Sequence, residues 1–151
     1  MSKIIISDTS CLIVLSNIGK LEILQKLFNT IIATPDIVYE FGDVLPDWIE
    51  IVAVKDKCKQ HLLETQVDKG EASAMALALE LSKSLLIIDD LKARRLAKTL
   101  NIDFMGTIGI IILAKQRGVI KAIKPLLDAI KATNFRISDE LENYLLSVLK
   151  E

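Results

Sequence analysis

Histidine and cysteine are scarce. Among 151 residues there is one His and there are two Cys. Cys11 and Cys58 lie far apart, neither belongs to a Cys-x-x-Cys motif, and with His61 alone they make no structural zinc site. Both read as reduced thiols. No run of about 18 apolar residues exists, which excludes a membrane-spanning helix. The start reaches a charge at Asp8, too soon for a signal peptide, so the expected location is cytoplasmic. No sign of charge dominates: 19 basic residues face 20 acidic ones, for a net charge of −1. That balance, with a pI near 5.9, excludes a strongly basic surface that wraps a polyanion. Phosphates would have to be held locally, by metal ions and a few basic side chains. Aromatics make up only 5% of the chain. Trp48 and Phe104 read as core or partner contacts rather than base-stacking platforms, and His61 as a surface residue. There is no Ser/Gly linker, repeat or low-complexity tract, so residues 1–151 read as one domain.

Apolar residues, by contrast, are abundant. They make up 51% of the chain, and the mean hydropathy is +0.39. Sheets buried on both faces produce such richness. Short β-branched runs alternate with longer helical periods. Lys3 to Ser7, Thr30 to Ala33, Ile49 to Val54, Ser84 to Ile88 and Ile102 to Met105 read as strands. Helices are expected from Cys11, with Thr9 or Ser10 as cap, and from Pro35, with Thr34 as cap. A short polar helix is expected over 57–66. Asp68-Lys69-Gly70-Glu71 reads as a capping box. Asp89-Asp90 opens the next helix, and Gly106-Thr107 the one after it. Beyond residue 120 the alternation stops, and Ala122 to Thr133 and Asp139 to Leu149 read as two helices. Strand–helix alternation implies parallel βαβ units. The expected fold is α/β: a three-layer α/β/α sandwich with a central parallel sheet and a C-terminal helical hairpin over about 121–151.

Right-handed crossovers put every strand-to-helix turn at one sheet edge, where ligands of open α/β sheets bind. Asp8 follows the first strand, and Asp89 and Asp90 follow the SLLII strand. Glu71 lies in the first turn of the helix leading into that strand. Glu40 lies deeper in the helix after the TIIA strand. Topology alone thus draws carboxylates from distant parts of the chain towards one place. Crowded carboxylates raise each other's pKa unless a cation neutralises them. Mg2+ or Mn2+ with oxygen ligands suits such a site and supports phosphodiester hydrolysis without His or Cys. Asp8, after three consecutive Ile at the sheet edge, is hard to dismiss even alone, but the other acids have plainer readings. Asp90 is a helix cap, Glu71 a capping-box partner and Glu40 a solvated helix residue; the co-location carries the hypothesis. Ser10 and Thr107 are caps or hydroxyls that position water or substrate. Lys92, Arg94 and Arg95 are either a phosphate grip beside the acids or, for the arginines, partners of the acidic cluster.

In this arrangement the chain resembles the PIN-domain family. The residues that carry the resemblance are Ile4 to Ser10, Pro35 to Glu40, Gly70 to Ala74, Leu86 to Asp90, Lys92 to Ala97 and Gly106 to Gly109. The last two segments look like an uncharacterised prokaryotic branch similar to the toxin nucleases of toxin–antitoxin pairs. The resemblance implies a Mg2+- or Mn2+-dependent ribonuclease acting on single-stranded RNA, often a homodimer, with an antitoxin protein as a further partner. It assigns the acids to Asp8, Glu40, Glu71 and one of Asp89 and Asp90, and a hydroxyl near the metal to Ser10 or Thr107. Two departures stand out: Ile88-Asp89-Asp90 replaces the usual Thr-x-Asp, and the pI is low. The alternatives are a non-catalytic PIN-like module that binds protein or nucleic acid, and a phosphatase of the haloacid-dehalogenase type. The latter needs a second Asp where this chain has Ser10.

Overall fold

Three consecutive isoleucines demand burial on both faces of a sheet, and they form its central strand. In the computed structural model, which describes residues 4–133 and 135–151, this strand is β1 (Ile4–Ser7). Lys3, expected at its start, lies outside the described residues. Parallel to β1 run β2 (Thr30–Ala33), β3 (Ile49–Ile51), β4 (Ser84–Ile87) and β5 (Phe104–Met105). The order is β3-β2-β1-β4-β5, all parallel. The chain builds outward from β1 to one side, then crosses to the other. The switch therefore falls between β1 and β4, the place where open α/β sheets form a crevice.

Helices flank this sheet, giving the expected α/β/α sandwich. They are α1 (Thr9–Asn17), α2 (Glu22–Leu27), α3 (Pro35–Phe41), α4 (Lys57–Leu63), α5 (Lys69–Glu80), α6 (Leu91–Thr99), α7 (Thr107–Gln116), α8 (Lys124–Lys131) and α9 (Asp139–Val148). The helix α5 packs against α3 and α4, and α3 against α1, while α2 meets α7. Ile5, Ile6, Leu86 and Ile87 are sealed between the layers. The C-terminal pair adds Leu126, Leu127, Ile130 and Leu145 to the same core. Glu142 of α9 is 6% exposed and pairs with Lys131 and Lys124, which ties α9 to α8. Trp48 and Phe104 are half-buried against the core, and His61 is exposed.

Several boundaries differ from expectation. Asp8, not Thr9 or Ser10, caps α1: the backbone is extended at Asp8, and its Oδ1 accepts from Cys11 N–H at 3.0 Å. The chain turns into the helix directly off the strand, one residue early. Strand β3 stops at Ile51, β4 at Ile87, and β5 begins at Phe104. Strand ends are set by the reach of the neighbour's ladder, which side-chain pattern does not reveal. Helix α4 ends at Leu63 and α8 starts at Lys124, with Pro125 in its first turn. Proline lacks the N–H that a later helical position would need.

Candidate active site

Asp8 continues β1 past its last residue: its N–H donates to Ile87 O at 3.1 Å. Its carboxyl is thereby anchored at the carboxyl end of the central strand, only 3% exposed. Burial pushes this carboxyl up to about 8, against the pull of the Cys11 N–H; the charges of Asp89 and Glu71 push the same way. The same burial raises the neighbouring Cys11 thiol, so Cys11 is an inert core residue and not a nucleophile.

Asp89 and Asp90 have separate jobs. Asp90 caps α6, its Oδ2 accepting from Ala93 N–H at 2.9 Å. Asp89 turns across to α7. Its two oxygens accept from Thr107 N–H at 2.8 Å and from Thr107 Oγ1 at 2.5 Å. Arg94 holds it from the other side, with Nη2 at 3.6 Å from Asp89 Oδ1 and Nε donating to Ile88 O at 2.9 Å. The guanidinium stacks 5.9 Å from the Phe104 ring centre. Gly106 makes room for it: a Cβ there would stand 1.8 Å from Arg94 Nη2. Arg94 thus stands against an acid, the second of the two placements open for the arginines. Lys92 and Arg95 are exposed on α6.

Glu71 completes the capping box of α5. Asp68 Oδ1 accepts from its N–H at 2.8 Å, and its Oε1 accepts from Asp68 N–H at 3.3 Å. Partial burial, then the charge of Asp68, raise this carboxyl to about 7; the Asp68 N–H opposes and Asp90 adds to the rise. Glu40 is exposed on α3 but reaches the same edge, where its Oε1 accepts from Thr9 Oγ1 at 2.6 Å. It lies directly on Gly70, where a Cβ would stand 1.9 Å from Glu40 Oε1. Ser10 is exposed beside Thr9, and Thr107 is fully buried.

A pair of buried hydroxyls supports the two glutamates. Ile37 N–H donates to Thr34 Oγ1, Thr34 Oγ1 lies 2.7 Å from Ser73 Oγ, and Ser73 Oγ donates to Gly70 O. Ser73 spends its one proton on Gly70, so Thr34 donates to Ser73. This relay runs one way and locks the first turn of α3 to that of α5, the helices that carry Glu40 and Glu71. The role of Ser73 is missed by sequence reasoning. The available signal is a polar residue in the apolar stretch Ala72 to Leu79.

The structure thus brings Asp8 within reach of the charges of Asp89 and Glu71, and Glu71 within reach of those of Asp68 and Asp90, with Glu40 packed on Gly70 beside them. The donors are all hard oxygens, the set that suits a divalent cation of the Mg2+ or Mn2+ kind. Each carboxylate is also tied to a local hydrogen-bond donor. As the side chains stand, no group of three or more His, Cys, Asp or Glu among the described residues is placed to hold a metal ion together. The donor chemistry fits a cation; the present rotamers answer to local partners.

The architecture is thus a parallel α/β/α sandwich with acids at the carboxyl ends of β1 and β4. The DUF3368 family, described as a PIN domain, matches residues 4–151. The chain belongs to the PIN-domain family, whose members are generally nucleases that use divalent metal ions. No curated protein matches it.

Proposed function

We propose that this protein is a Mg2+- or Mn2+-dependent endoribonuclease that hydrolyses phosphodiester bonds of single-stranded RNA. One observation carries the reading: the Asp8 carboxyl is buried at the end of the central strand, facing the charges of Asp89 and Glu71. A carboxyl held above its ordinary range by burial first, and by like charges second, is poorly matched to a purely structural role and well matched to cation binding. Asp8, Glu71 and Asp89 would hold the ion, with Asp90 and Glu40 beside them. When bound, the cation supplies Lewis-acid polarisation of a phosphate oxygen and eases deprotonation of water. Glu40, hydrogen-bonded to Thr9, would accept a proton beside the ion. Thr107 fixes Asp89 through both oxygens; exposed Ser10 would position water or substrate, and exposed Lys92 and Arg95 would meet the RNA backbone.

The same reading extends to a homodimer in the cytoplasm, controlled as a toxin by a small antitoxin protein. Its support is the likeness of Lys92 to Ala97 and Gly106 to Gly109 to toxin nucleases, together with two free cysteines. The assay is cleavage of labelled single-stranded RNA with Mn2+ and with chelator. Asp8→Asn is expected to abolish cleavage while circular dichroism stays native; metal-dependent cleavage surviving that change removes Asp8 from the mechanism.

A second reading, a non-catalytic PIN-like interaction module, draws on the local hydrogen bonds that occupy Glu40, Glu71 and Asp89. It expects a folded protein that binds no Mn2+, which calorimetric titration decides.

A further inference from the structure

Glu40 stands between two hollows. The first, of about 500 Å3, is lined by Ser10, Ile13, Asn17, Asp68 and Phe135, with Thr9 and Glu40 at its rim. The second, of about 460 Å3, is lined by Pro35, Asp36, Tyr39, Glu40 and Lys69. Both volumes lie in the roughly 300–1,000 Å3 range of small-ligand sites. Each hollow contains one aromatic ring, in a chain with only four Phe, two Tyr and one Trp. Tyr39 is 88% exposed. Phe135 is half-buried, held at its base by core packing.

The lining decides what fits. Among the described residues the first hollow carries two carboxylates, an amide and a ring, and no cation. A phosphate seated there would be repelled. A nucleobase would bring amino donors to Glu40 and Asp68 and a π-face to Phe135. The second hollow adds a cation to its ring: Lys69 is 67% exposed and pairs with Asp36 only loosely, at 3.8 Å. It suits a base on Tyr39 with its phosphate near Lys69. Stacking on side chains requires bases free of their own stack, so the strand must be single.

We propose that these hollows are two base seats of a single-stranded RNA, Phe135 stacking one base and Tyr39 the other. The strand would then be draped across Glu40 and Thr9, presenting its backbone to the acidic edge. This rests on the proposed function in that RNA must reach this edge.

The test uses Asp8→Asn protein in Mn2+ with short single-stranded RNA of mixed sequence carrying 2-aminopurine. Tyr39→Ala and Phe135→Leu are each expected to weaken binding roughly fivefold or more and to remove part of the 2-aminopurine quenching. Tyr39→Phe and Phe135→Tyr should retain both. Tyr144→Ala, exposed on α9 and outside both hollows, should change neither. Thermal melts check each fold; Tyr39 is too exposed for its loss to unfold the chain. Unchanged affinity and quenching in both variants, or equal affinity for duplex RNA, would overturn the seats even where wild-type cleavage is intact. Ring-dependent binding without any wild-type cleavage would retain them and remove the nuclease. Absence of both RNA binding and cleavage removes both.

Discussion

Arg94 and Asp89 hold each other across the opening of the β4–α6 turn. The guanidinium lies 3.6 Å from Asp89 Oδ1, donates to the Ile88 carbonyl and stacks on Phe104. A side chain with its charge directed inward at three partners has little left for a substrate phosphate. On the proposed mechanism Arg94 would be a positioning residue: it would aim Asp89, the group that would meet the ion. Arg94→Ala is therefore expected to lower turnover at saturating RNA while leaving RNA affinity nearly unchanged. Arg94→Lys should restore only part, because an ammonium cannot reproduce the fork. The stability loss, read by urea denaturation, should be about 1–3 kcal/mol. Lys92→Ala and Arg95→Ala should show the reverse pattern, weaker binding across all RNA sequences. Parallel losses in affinity for all three variants would return Arg94 to the phosphate grip.

Gly70 owes its identity to Glu40. An added Cβ would come within 1.9 Å of Glu40 Oε1 and 2.7 Å of Glu40 Cδ, so the flexible carboxylate must leave and its 2.6 Å bond to Thr9 must break. Gly70→Ala is expected to lower turnover roughly tenfold or more, as misplaced groups do. The melting temperature should hold or rise, since Ala is favoured over Gly inside a helix by about 1 kcal/mol. Unaltered turnover would show that Glu40 has no part in the chemistry.

The hydroxyl relay between α3 and α5 makes a third prediction. Thr34→Val leaves Ile37 N–H without its acceptor and Ser73 Oγ without its donor, both in a fully buried place. The expected loss is about 1–3 kcal/mol. Ser73→Ala strands Thr34 in turn. A double-mutant cycle by chemical denaturation should find the two strongly non-additive. Simple additivity would mean the hydroxyls act independently.

The pH dependence without metal runs against the common pattern for carboxylates. Unfolded, Asp8 titrates near 3.8, and folded, near 8. Between those values the folded chain keeps a proton that the unfolded chain has lost. Stability from this site is thus full below the unfolded value and is lost as pH rises through the folded one. Glu71, raised from 4.5 to about 7, adds in the same direction. With chelator present, the melting temperature should fall between about pH 5 and pH 8, and Asp8→Asn should flatten that slope. Saturating Mn2+ should raise the melting temperature more at pH 8 than at pH 5. Equal slopes for wild type and Asp8→Asn would remove this account.

Much of this was readable in one dimension. The runs Ile4-Ile5-Ile6 and Leu86-Ile87-Ile88 have no stable place but a doubly covered parallel sheet. Thr34-Pro35 and Asp68-Lys69-Gly70-Glu71 announce helix starts through their own hydrogen-bond chemistry, and both caps form as expected. The role of Asp8 as a cap was not readable, and the tasks of Asp89 and Asp90 and the direction of Arg94 stood only as open alternatives. Each depends on which partner the fold brings within 3 or 4 Å: the Thr107 N–H for Asp89, the Ile88 carbonyl for Arg94 and the Cys11 N–H for Asp8. Ser73 was silent because its partner stands 39 residues away.

By itself the sequence determined which segments are strands, the helix starts at Pro35 and Lys69 and the edge to which the acids must go, because burial, capping and crossover geometry act locally or through chain order. Only the tertiary structure decided what each acid does on arrival. A carboxylate has several acceptor sites and takes whichever donors its neighbours present. Those neighbours are assembled by packing, not by spacing along the chain.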